Sequence, residues 1–181
     1  MIEGEALVLP PEAAGAAKDY LRVERADEDG LIAGLAVAAA ELCEAFIGRA
    51  LLARGFTETL PASRAWRRLT QGPVRTTTLV EALPAEGPAQ ILPGAAYGID
   101  IDARGDGWVR LTAVGDVRRI RIAYEAGLAG TWAELPSALR QGILRLTAHL
   151  YTNRAAEAPR ANEPPAAVTA LWRPFRRIRL R

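Results

Sequence analysis

The sequence has very few of the residues that build covalent or metal-bound frameworks: one cysteine, Cys43, and one histidine, His149, in 181 residues. A single thiol cannot form an internal disulfide, and these two side chains cannot complete a structural zinc site by themselves. No apolar run reaches the ~18 residues of a membrane-spanning helix, and the acidic residues 1–5 are unlike the basic start of a signal peptide. We therefore expect a chain that uses no metal, no oxidising compartment, no membrane and no cleaved signal.

Residues for enzymatic chemistry are equally scarce. Lys18 is the only lysine, and it does not follow the glycines of a phosphate-binding loop. His149 lies within an amphipathic helix pattern, where a structural role is favoured over general-base catalysis. Cys43 lies on an apolar stripe, and the neighbouring acids Glu41 and Glu44 disfavour a reactive thiolate. This repertoire predicts that the chain is not an enzyme and binds no cofactor.

Asp100, Asp102 and Asp106 come nearest to a metal-binding pattern. An EF-hand loop counted from Asp100 would need a bidentate glutamate at its twelfth position, and Leu111 stands there. Acids that alternate along a strand whose apolar face points inward account better for the spacing. The sequence therefore predicts no metal site and no catalytic residue.

Charge is unevenly distributed along the chain, although the formal net charge is only +2. Residues 1–60 carry eleven acids and five bases, residues 61–125 seven acids and nine bases, and residues 126–181 three acids and nine bases. All basic residues except Lys18 are arginine, which suits bidentate ion pairs at interfaces but is also what a GC-rich genome produces. The split favours acidic and basic faces that meet in neighbouring copies, or a basic tail that meets an acidic partner; a merely soluble tail is the alternative.

Two stretches near the N-terminus have helical periodicity. Pro11 suits the first turn of a helix over residues 11–21. A second helix is predicted from an N-cap at Asp27 to Ile47, with Gly48 as its C-terminal stop. This helix carries two adjacent apolar stripes, so we expect it to pack on more than one side. The stripes consist of Leu31, Leu35, Ala38, Leu42 and Phe46 and, beside them, of Ile32, Ala36, Ala39, Cys43 and Ile47.

The middle of the chain changes to the alternating pattern of half-buried, antiparallel strands, punctuated by glycines and prolines. Val74, Thr76, Thr78 and Val80 form one face of the first predicted strand. Further strands are predicted around residues 99–101, 109–111 and 119–124. Residues 105–107, Gly-Asp-Gly, predict a turn, and residues 83–94 are expected to form a loop.

A helical period returns at Pro136, and the helix is expected to end at about Asn153 or Arg154. Its apolar positions are Leu139, Ile143, Leu146 and Leu150. The predicted fold class is therefore α+β: a helical bundle of two N-terminal helices and one late helix, with an inserted antiparallel β region and an extended basic C-terminal tail. We expect residues 1–154 to form one domain, with the β-rich insertion at about 51–125, and residues 155–181 to form a linker and a basic arm.

The C-terminal arm is the one concentrated feature of the sequence. A short helix is expected from residue 166, Pro174 interrupts it, and residues 175–181 alternate like an exposed strand. Aromatic and apolar residues interleaved with arginine make it a candidate partner-binding segment, formed by Trp172, Arg173, Phe175, Arg176, Arg177, Ile178, Arg179 and Arg181. The alternation favours docking on a protein, where apolar residues fill pockets and arginine pairs with acids. A nucleic-acid-binding arm is the alternative.

Several segments, in order, resemble the head–tail connector family of tailed phages and gene transfer agents. An acidic helix start followed by an alanine-rich helix opens the pattern, and the resemblance covers most of residues 11–154. The matching segments are AKDYLRV at 17–23, DEDGLI at 27–32, EAFIGRAL at 44–51, GPV at 72–74, IAYEAG at 122–127, LPSALRQGI at 135–143 and AHLYTNR at 148–154.

The resemblance implies a structural virion protein, made in the bacterial cytoplasm and placed at the head–tail junction. It implies a ring of about twelve copies with a repeated head-to-tail interface, between the portal and a stopper or tail-completion protein, around a channel through which DNA passes without sequence-specific contact. The tail is longer and more basic than the family pattern requires. We expect deletion of residues 172–181 to abolish head–tail joining while the domain stays folded. The alternative function is a nucleic-acid-binding accessory protein acting through its arginine-rich tail.

Overall fold

The structure, a computed structural model, describes residues 1–154 and 163–177. It contains helices and two antiparallel sheets, which confirms the predicted α+β class. In chain order the elements are β1 (Ile2–Gly4), α1 (Pro11–Leu21), α2 (Asp29–Ile47), β2 (Arg54–Pro61), β3 (Arg67–Arg68), β4 (Val74–Pro84), β5 (Gln90–Ile91), β6 (Tyr97–Ile101), β7 (Gly107–Leu111), β8 (Val117–Ala126), α3 (Ser137–Thr152) and α4 (Ala166–Trp172), with 3₁₀ turns at Gly94–Ala96 and Arg173–Phe175.

The chain forms two compact units. The sheet unit comprises Met1–Ala6 and Leu52–Leu128, and the helical unit comprises Leu7–Leu51 and Ala129–Arg181. The β-rich insertion expected at about 51–125 thus has an additional strand, β1, from the start of the chain. The proposed boundary between a domain ending at residue 154 and a separate linker and arm stays a prediction.

In the sheet unit the larger sheet has the order β1-β2-β8-β4-β5, and every pairing is antiparallel. Phe56 and Tyr124 face each other across β2 and β8, and their rings stack at a centroid distance of 5.9 Å. Both are buried, with Val80 and Ile122 of the neighbouring pair of strands. This inner face is the core of the unit.

The simple alternation predicted for β4 is wrong. Val74 and Val80 are buried, but Thr76 and Thr78 are exposed. The pairing of β4 with β8 shifts register between Val74 and Thr76, and again between Thr77 and Leu79. Each such bulge inserts a residue that moves the following side chains to the other face.

The second sheet has the order β3-β7-β6, and its hairpin places the three aspartates at the end of β6 and in the turn that follows. Asp102 accepts hydrogen bonds from the backbone N–H groups of Arg104, at 2.8 Å, and of Asp106, at 3.0 Å, and from Nε1 of Trp108, at 3.3 Å. These bonds, led by that of Asp106, lower the pKa of the Asp102 carboxyl. The aspartate therefore holds the turn together.

In the helical unit α2 packs against α1, α3 and α4. The predicted bounds of α1 are confirmed. The predicted N-cap of α2 at Asp27 is wrong, because the helix begins at Asp29 with Glu28 in the cap position. The Glu28 carboxylate accepts a 2.5 Å hydrogen bond from the hydroxyl of Tyr151 on α3. An acid at this point thus ties two helices together rather than capping one.

The two apolar stripes of α2 have different surroundings. Ile32, Ala36, Ala39, Cys43 and Ile47 are buried, as expected for a core stripe. Of the other stripe, Leu31 is 43% exposed and Leu42 is 37% exposed, while Leu35 and Ala38 are half-buried. We call Leu31, Leu35, Ala38 and Leu42 the outer stripe.

Length and composition alone would allow α2 to cross a membrane, and this differs from the expectation drawn from apolar run length. Core helices of soluble proteins pass the same test. A third of the apolar window of α2 is buried inside the protein.

The late helix α3 starts one residue after the predicted first position, since Pro136 is its cap, and ends at Thr152. Its four predicted apolar positions, Leu139, Ile143, Leu146 and Leu150, are all buried. Periodicity therefore located the inward face of α3 correctly.

Candidate functional site: the C-terminal segment

The candidate partner-binding segment begins in α4, a helix of seven residues that follows Pro165. Val168 and Trp172, one helical turn apart, lie on the same face and are both buried. The expected short helix from residue 166 is thus present. An extended basic tail is not confirmed.

Trp172 is a core residue of the helical unit, with no exposed surface. Its ring centroid lies 5.9 Å from that of Phe46 on α2. On its other side the indole packs so closely on Gly142 of α3 that a side chain there would overlap it. The expectation that Trp172 belongs to an accessible docking arm is corrected, because the indole fills a space inside its own unit.

Arg173 and Phe175 bound a 3₁₀ turn that contains Pro174. Arg173 is exposed and Phe175 is half-buried. Phe175 thus belongs to a turn and not to the exposed strand that was expected from this residue, and the backbone N–H of Arg176 donates to the carbonyl of Arg173 at 3.2 Å.

Arg176 and Arg177 hold the segment against the end of α2. The guanidinium of Arg176 lies over the ring of Phe46, 5.4 Å from its centroid. The backbone N–H of Arg177 donates to the carbonyl of Ile47, the last residue of α2, at 2.8 Å. This bond satisfies one of the carbonyls that a helix end leaves without an intrahelical partner.

The electrostatic character of this surface is basic. Arg173 and Arg176 are exposed and Arg177 is half-buried. The negative end of the α2 dipole is a favourable location for such cations. Ile178, Arg179 and Arg181, which complete the predicted segment, lie outside the described residues.

The single cysteine and the single histidine of the chain, Cys43 and His149, lie outside this segment. Cys43 is buried, and burial, with a smaller contribution from Glu44, raises the pKa of its thiol. His149 shares a contact of 3.2 Å between its Nδ1 and the amide nitrogen of Asn153. No group of three or more potential metal ligands occurs in residues 1–154 and 163–177. The charged side chains that the described part of this segment exposes are those of Arg173 and Arg176.

Sequence reasoning missed two residues that position the segment. Phe46 was assigned to a helix stripe, yet its ring supports both Trp172 and Arg176. Gly142 lies within the predicted late helix, where glycine is unfavourable. A glycine at such a position is a signal that can be read from the sequence. The structure explains it, because the indole of Trp172 packs directly on Gly142.

No protein-family model matches the chain, and no curated protein matches it either. Among solved structures, the chain is similar to a chain of the neck of an empty GTA particle, computed with C6 symmetry, at a TM-score of 0.78 and 26% identity. It is also similar to a chain of the virion of a native gene transfer agent (GTA) particle, at a TM-score of 0.73 and 27% identity. A third similar chain belongs to the neck of a native GTA particle, computed with C12 symmetry, at a TM-score of 0.74 and 25% identity.

Each of these comparisons covers 99% of this chain and 97% of the other. The similarity therefore includes both units and is not limited to a common sheet or helix pair. It confirms the resemblance predicted from the sequence: the chain is similar along nearly its whole length to proteins of the neck and virion of gene transfer agents, as expected of a head–tail connector.

Proposed function

We propose that this chain is a structural protein of the head–tail neck of a phage-like particle, where it acts as the adaptor between the portal and the tail-completion proteins, around the DNA channel. The observation that carries the proposal is the similarity, over 99% of the chain, to neck chains of gene transfer agents. Those neighbours are structural components of a particle, which supports a structural role over an enzymatic one.

A ring of identical copies is part of the proposal. The similar neck structures were computed with C6 and C12 symmetry, which supports an oligomeric ring in a particle. A closed ring needs a heterologous interface, in which one face of each copy meets a different face of the next. The two segments of the helical unit differ in charge, as two different faces that meet in a ring would. Residues 7–51 carry eight acids and four bases, and residues 129–181 carry three acids and nine bases.

The C-terminal segment is proposed to bind the portal or an adjacent copy. Its exposed arginines, Arg173 and Arg176, lie next to the end of α2, where Arg177 fixes the backbone. The backbone of this segment is thus held at the end of α2 as far as Arg177. Because Trp172 is buried, deletion of residues 172–181 would remove a core side chain as well as the arm. That deletion therefore cannot separate loss of binding from loss of stability.

The test is a tagged chain expressed in cells that produce particles, recovered at moderate salt and analysed by mass spectrometry. We expect portal, capsid and tail-completion proteins to be recovered with it. Recovery of nucleic acid alone, or of metabolic proteins, would overturn the adaptor proposal.

Truncation after Arg177 gives a sharper variant, because it removes Arg179 and Arg181 and leaves Trp172 in place. The matched control removes two exposed arginines of the sheet unit, Arg64→Ala with Arg118→Ala. We expect the truncation to lose portal recovery and the control to retain it. Equal recovery from both would show that residues 178–181 are not needed for binding to the portal.

A DNA titration separates the adaptor from the nucleic-acid-binding alternative. An arm that neutralised several phosphates would give affinity that falls steeply with salt, with a slope of about 0.9 per phosphate on logarithmic axes. The adaptor should bind DNA weakly, and truncation after Arg177 should change that binding little.

A further inference from the structure

Strand β6 is an open edge of the smaller sheet: it comes last in the order β3-β7-β6 and pairs with β7 without a break in register. Just before β6, the carbonyl of Ala96 accepts a hydrogen bond from the backbone N–H of Thr112. Just after β6, the N–H of Asp102 donates to the carbonyl of Asp106. Hydrogen-bonded and non-bonded pairs alternate along an antiparallel ladder. The residues of β6 whose backbone N–H and C=O groups point away from β7 are therefore Tyr97, Ile99 and Ile101.

This edge is the longest that the two sheets leave without a neighbouring strand. Strands β3 and β5 have two residues each, β1 has three and β6 has five. Strand β5 also lies between Pro88 and Pro93, which have no N–H to donate. Within residues 1–154 and 163–177, no hydrogen bond reaches the outward backbone groups of β6. An edge of this length is a template to which another extended chain can add.

The two isoleucines of β6 make one face of this edge apolar. Ile99 is half-buried and Ile101 is 41% exposed. Ile99 lies directly opposite Val109 of β7, which is fully buried, so both isoleucines belong to the inward face of the smaller sheet. This face therefore stays apolar up to its edge, where a further strand could cover it.

Asp100, between these isoleucines, is on the other face of β6. It is exposed, and it makes no hydrogen bond or ion pair with residues of the described part of the chain. Other charges of this hairpin have partners or lie further along: Asp102 accepts the backbone N–H bonds of the turn, and Arg104 is exposed in that turn. The guanidinium of Arg110 lies over the ring of Trp66, 4.6 Å from its centroid. Asp100 is thus the acid that a base on an added strand would meet.

The C-terminal segment contains the matching pattern. After Arg177 the sequence continues Ile-Arg-Leu at residues 178–180, so a base stands between two apolar residues, as Asp100 stands between the two isoleucines of β6. Side by side, the two tripeptides would join apolar residues on one face and Arg179 with Asp100 on the other, and both kinds of cross-strand pair are favourable. The match holds for either strand direction, because each tripeptide is symmetric about its charged residue.

We infer that residues 178–180 of one copy add as a strand to β6 of an adjacent copy. The inference rests on the ring proposed above, and of the two partners proposed for the C-terminal segment it selects the adjacent copy. Segment and edge belong to different units of the chain, so the contact is heterologous and can repeat until the ring closes. Truncation after Arg177 then lowers portal recovery because the ring is incomplete.

Charge reversal in particle-producing cells tests the pairing. Asp100→Arg and Arg179→Asp each bring like charges together across the proposed pair, whereas the double variant restores opposite charges. We expect each single variant to lower the amount of the chain in purified particles by about fivefold or more, and the double variant to recover most of it. The matched control, Asp116→Arg, reverses another exposed acid of the sheet unit and should be incorporated normally.

Crosslinking tests whether the contact joins two copies. One chain with Asp100→Cys and another with Arg179→Cys are produced together, and purified particles are treated with a short bismaleimide. We expect dimers when both chains are present and monomers when either is present alone, since the native Cys43 is buried. In the control, Asp116→Cys replaces Asp100→Cys, and the chains should stay monomeric.

Three outcomes would contradict these expectations. Paired cysteine chains found only as monomers in particles would overturn the inference and leave the adaptor proposal intact, as would normal incorporation of both single charge variants. Loss of Asp100→Arg from particles without recovery in the double variant would assign the β6 edge to another protein of the particle, which also overturns the inference. Absence of the unmodified chain from particles would instead overturn the adaptor proposal.

Discussion

The two apolar stripes of α2 are similar in sequence and opposite in environment. One is buried against α1, α3 and α4, and the other keeps two leucines more than a third exposed. Adjacent residues show the contrast most directly: Ile32 is 1% exposed and Leu31 is 43% exposed. One face of α2 thus packs in the core, and the other keeps apolar side chains exposed to solvent. This arrangement is expected of a subunit whose remaining apolar surface is covered only when it assembles with its partners.

The largest expected loss of stability comes from replacing Trp172, whose indole packs on Phe46 at the C-terminal end of α2. Trp172→Ala should lower the free energy of unfolding by about 3–5 kcal/mol, because it leaves a cavity between α2, α3 and α4. Urea unfolding followed by circular dichroism measures it. Arg173→Ala, one residue away and exposed, should change the value by less than about 0.5 kcal/mol. Similar small losses from both variants would show that the indole is not part of the core.

The stripes themselves can be compared by two neighbouring substitutions to the same residue. Ile32→Ala should cost about 2–4 kcal/mol, since a buried side chain is lost. Leu31→Ala should cost about 1 kcal/mol or less, since much of that side chain is already in water. Both variants keep good helix formers, so thermal unfolding of the pair isolates burial. Equal losses in the isolated chain would mean that the outer stripe is covered within it.

Both stripes of α2 could be predicted from the sequence, but not the difference in their exposure. Periodicity located both stripes of α2, the inward face of α3 and the C-terminal stop at Gly48, which takes the left-handed conformation with φ of 69°. The local pattern could not say which stripe would be covered, because that depends on helices distant in the chain. For the same reason Trp172 could not be assigned: an apolar residue among arginines fits a docking arm and a core equally well until Phe46 and Gly142 are brought beside it.

In the sheet unit, the burial of a polar residue could not be predicted from the local sequence either. Nothing in the local sequence distinguishes Glu58 from an exposed strand residue, yet it is 3% exposed. Its carboxylate accepts hydrogen bonds from the backbone N–H of Thr70 at 2.8 Å and from the hydroxyl of Tyr124 at 3.0 Å. These donors lie 12 and 66 residues further along the chain, so only the fold reveals them. The bulges of β4 were missed similarly, since pairing with β8 produces them.

Two substitutions of Glu58 measure how much its buried hydrogen bonds contribute to stability. Glu58→Ala should cost about 1–3 kcal/mol, because it removes the acceptor of the buried Tyr124 hydroxyl and of the partly buried backbone N–H of Thr70. Glu58→Gln keeps an acceptor oxygen and nearly the same shape, so it should cost less. Urea unfolding of the three proteins measures both differences. A glutamine variant as unstable as the alanine variant would show that the charge, rather than the hydrogen bonds, is required.

The smallest expected effect is on stability at alkaline pH. Burial, followed by the charge of Glu58, raises the pKa of Tyr124 above its ordinary value near 10. A raised folded-state pKa gives stability that is complete below the unfolded pKa and is lost as the pH rises above it. Between pH 10 and 11 the loss should approach at most about 1.4 kcal/mol per pH unit, the value for one proton.

Unfolding by urea at several values between pH 9 and 11 measures this slope, and Tyr124→Phe provides the comparison. That variant loses a hydrogen bond at every pH, so its absolute stability is lower, but its slope should be shallower by the contribution of one proton. All other residues are the same in both proteins, so the difference between the two slopes isolates Tyr124. Parallel slopes would mean that Tyr124 ionises in the folded sheet unit as readily as in water, and that its hydroxyl is not enclosed with Glu58.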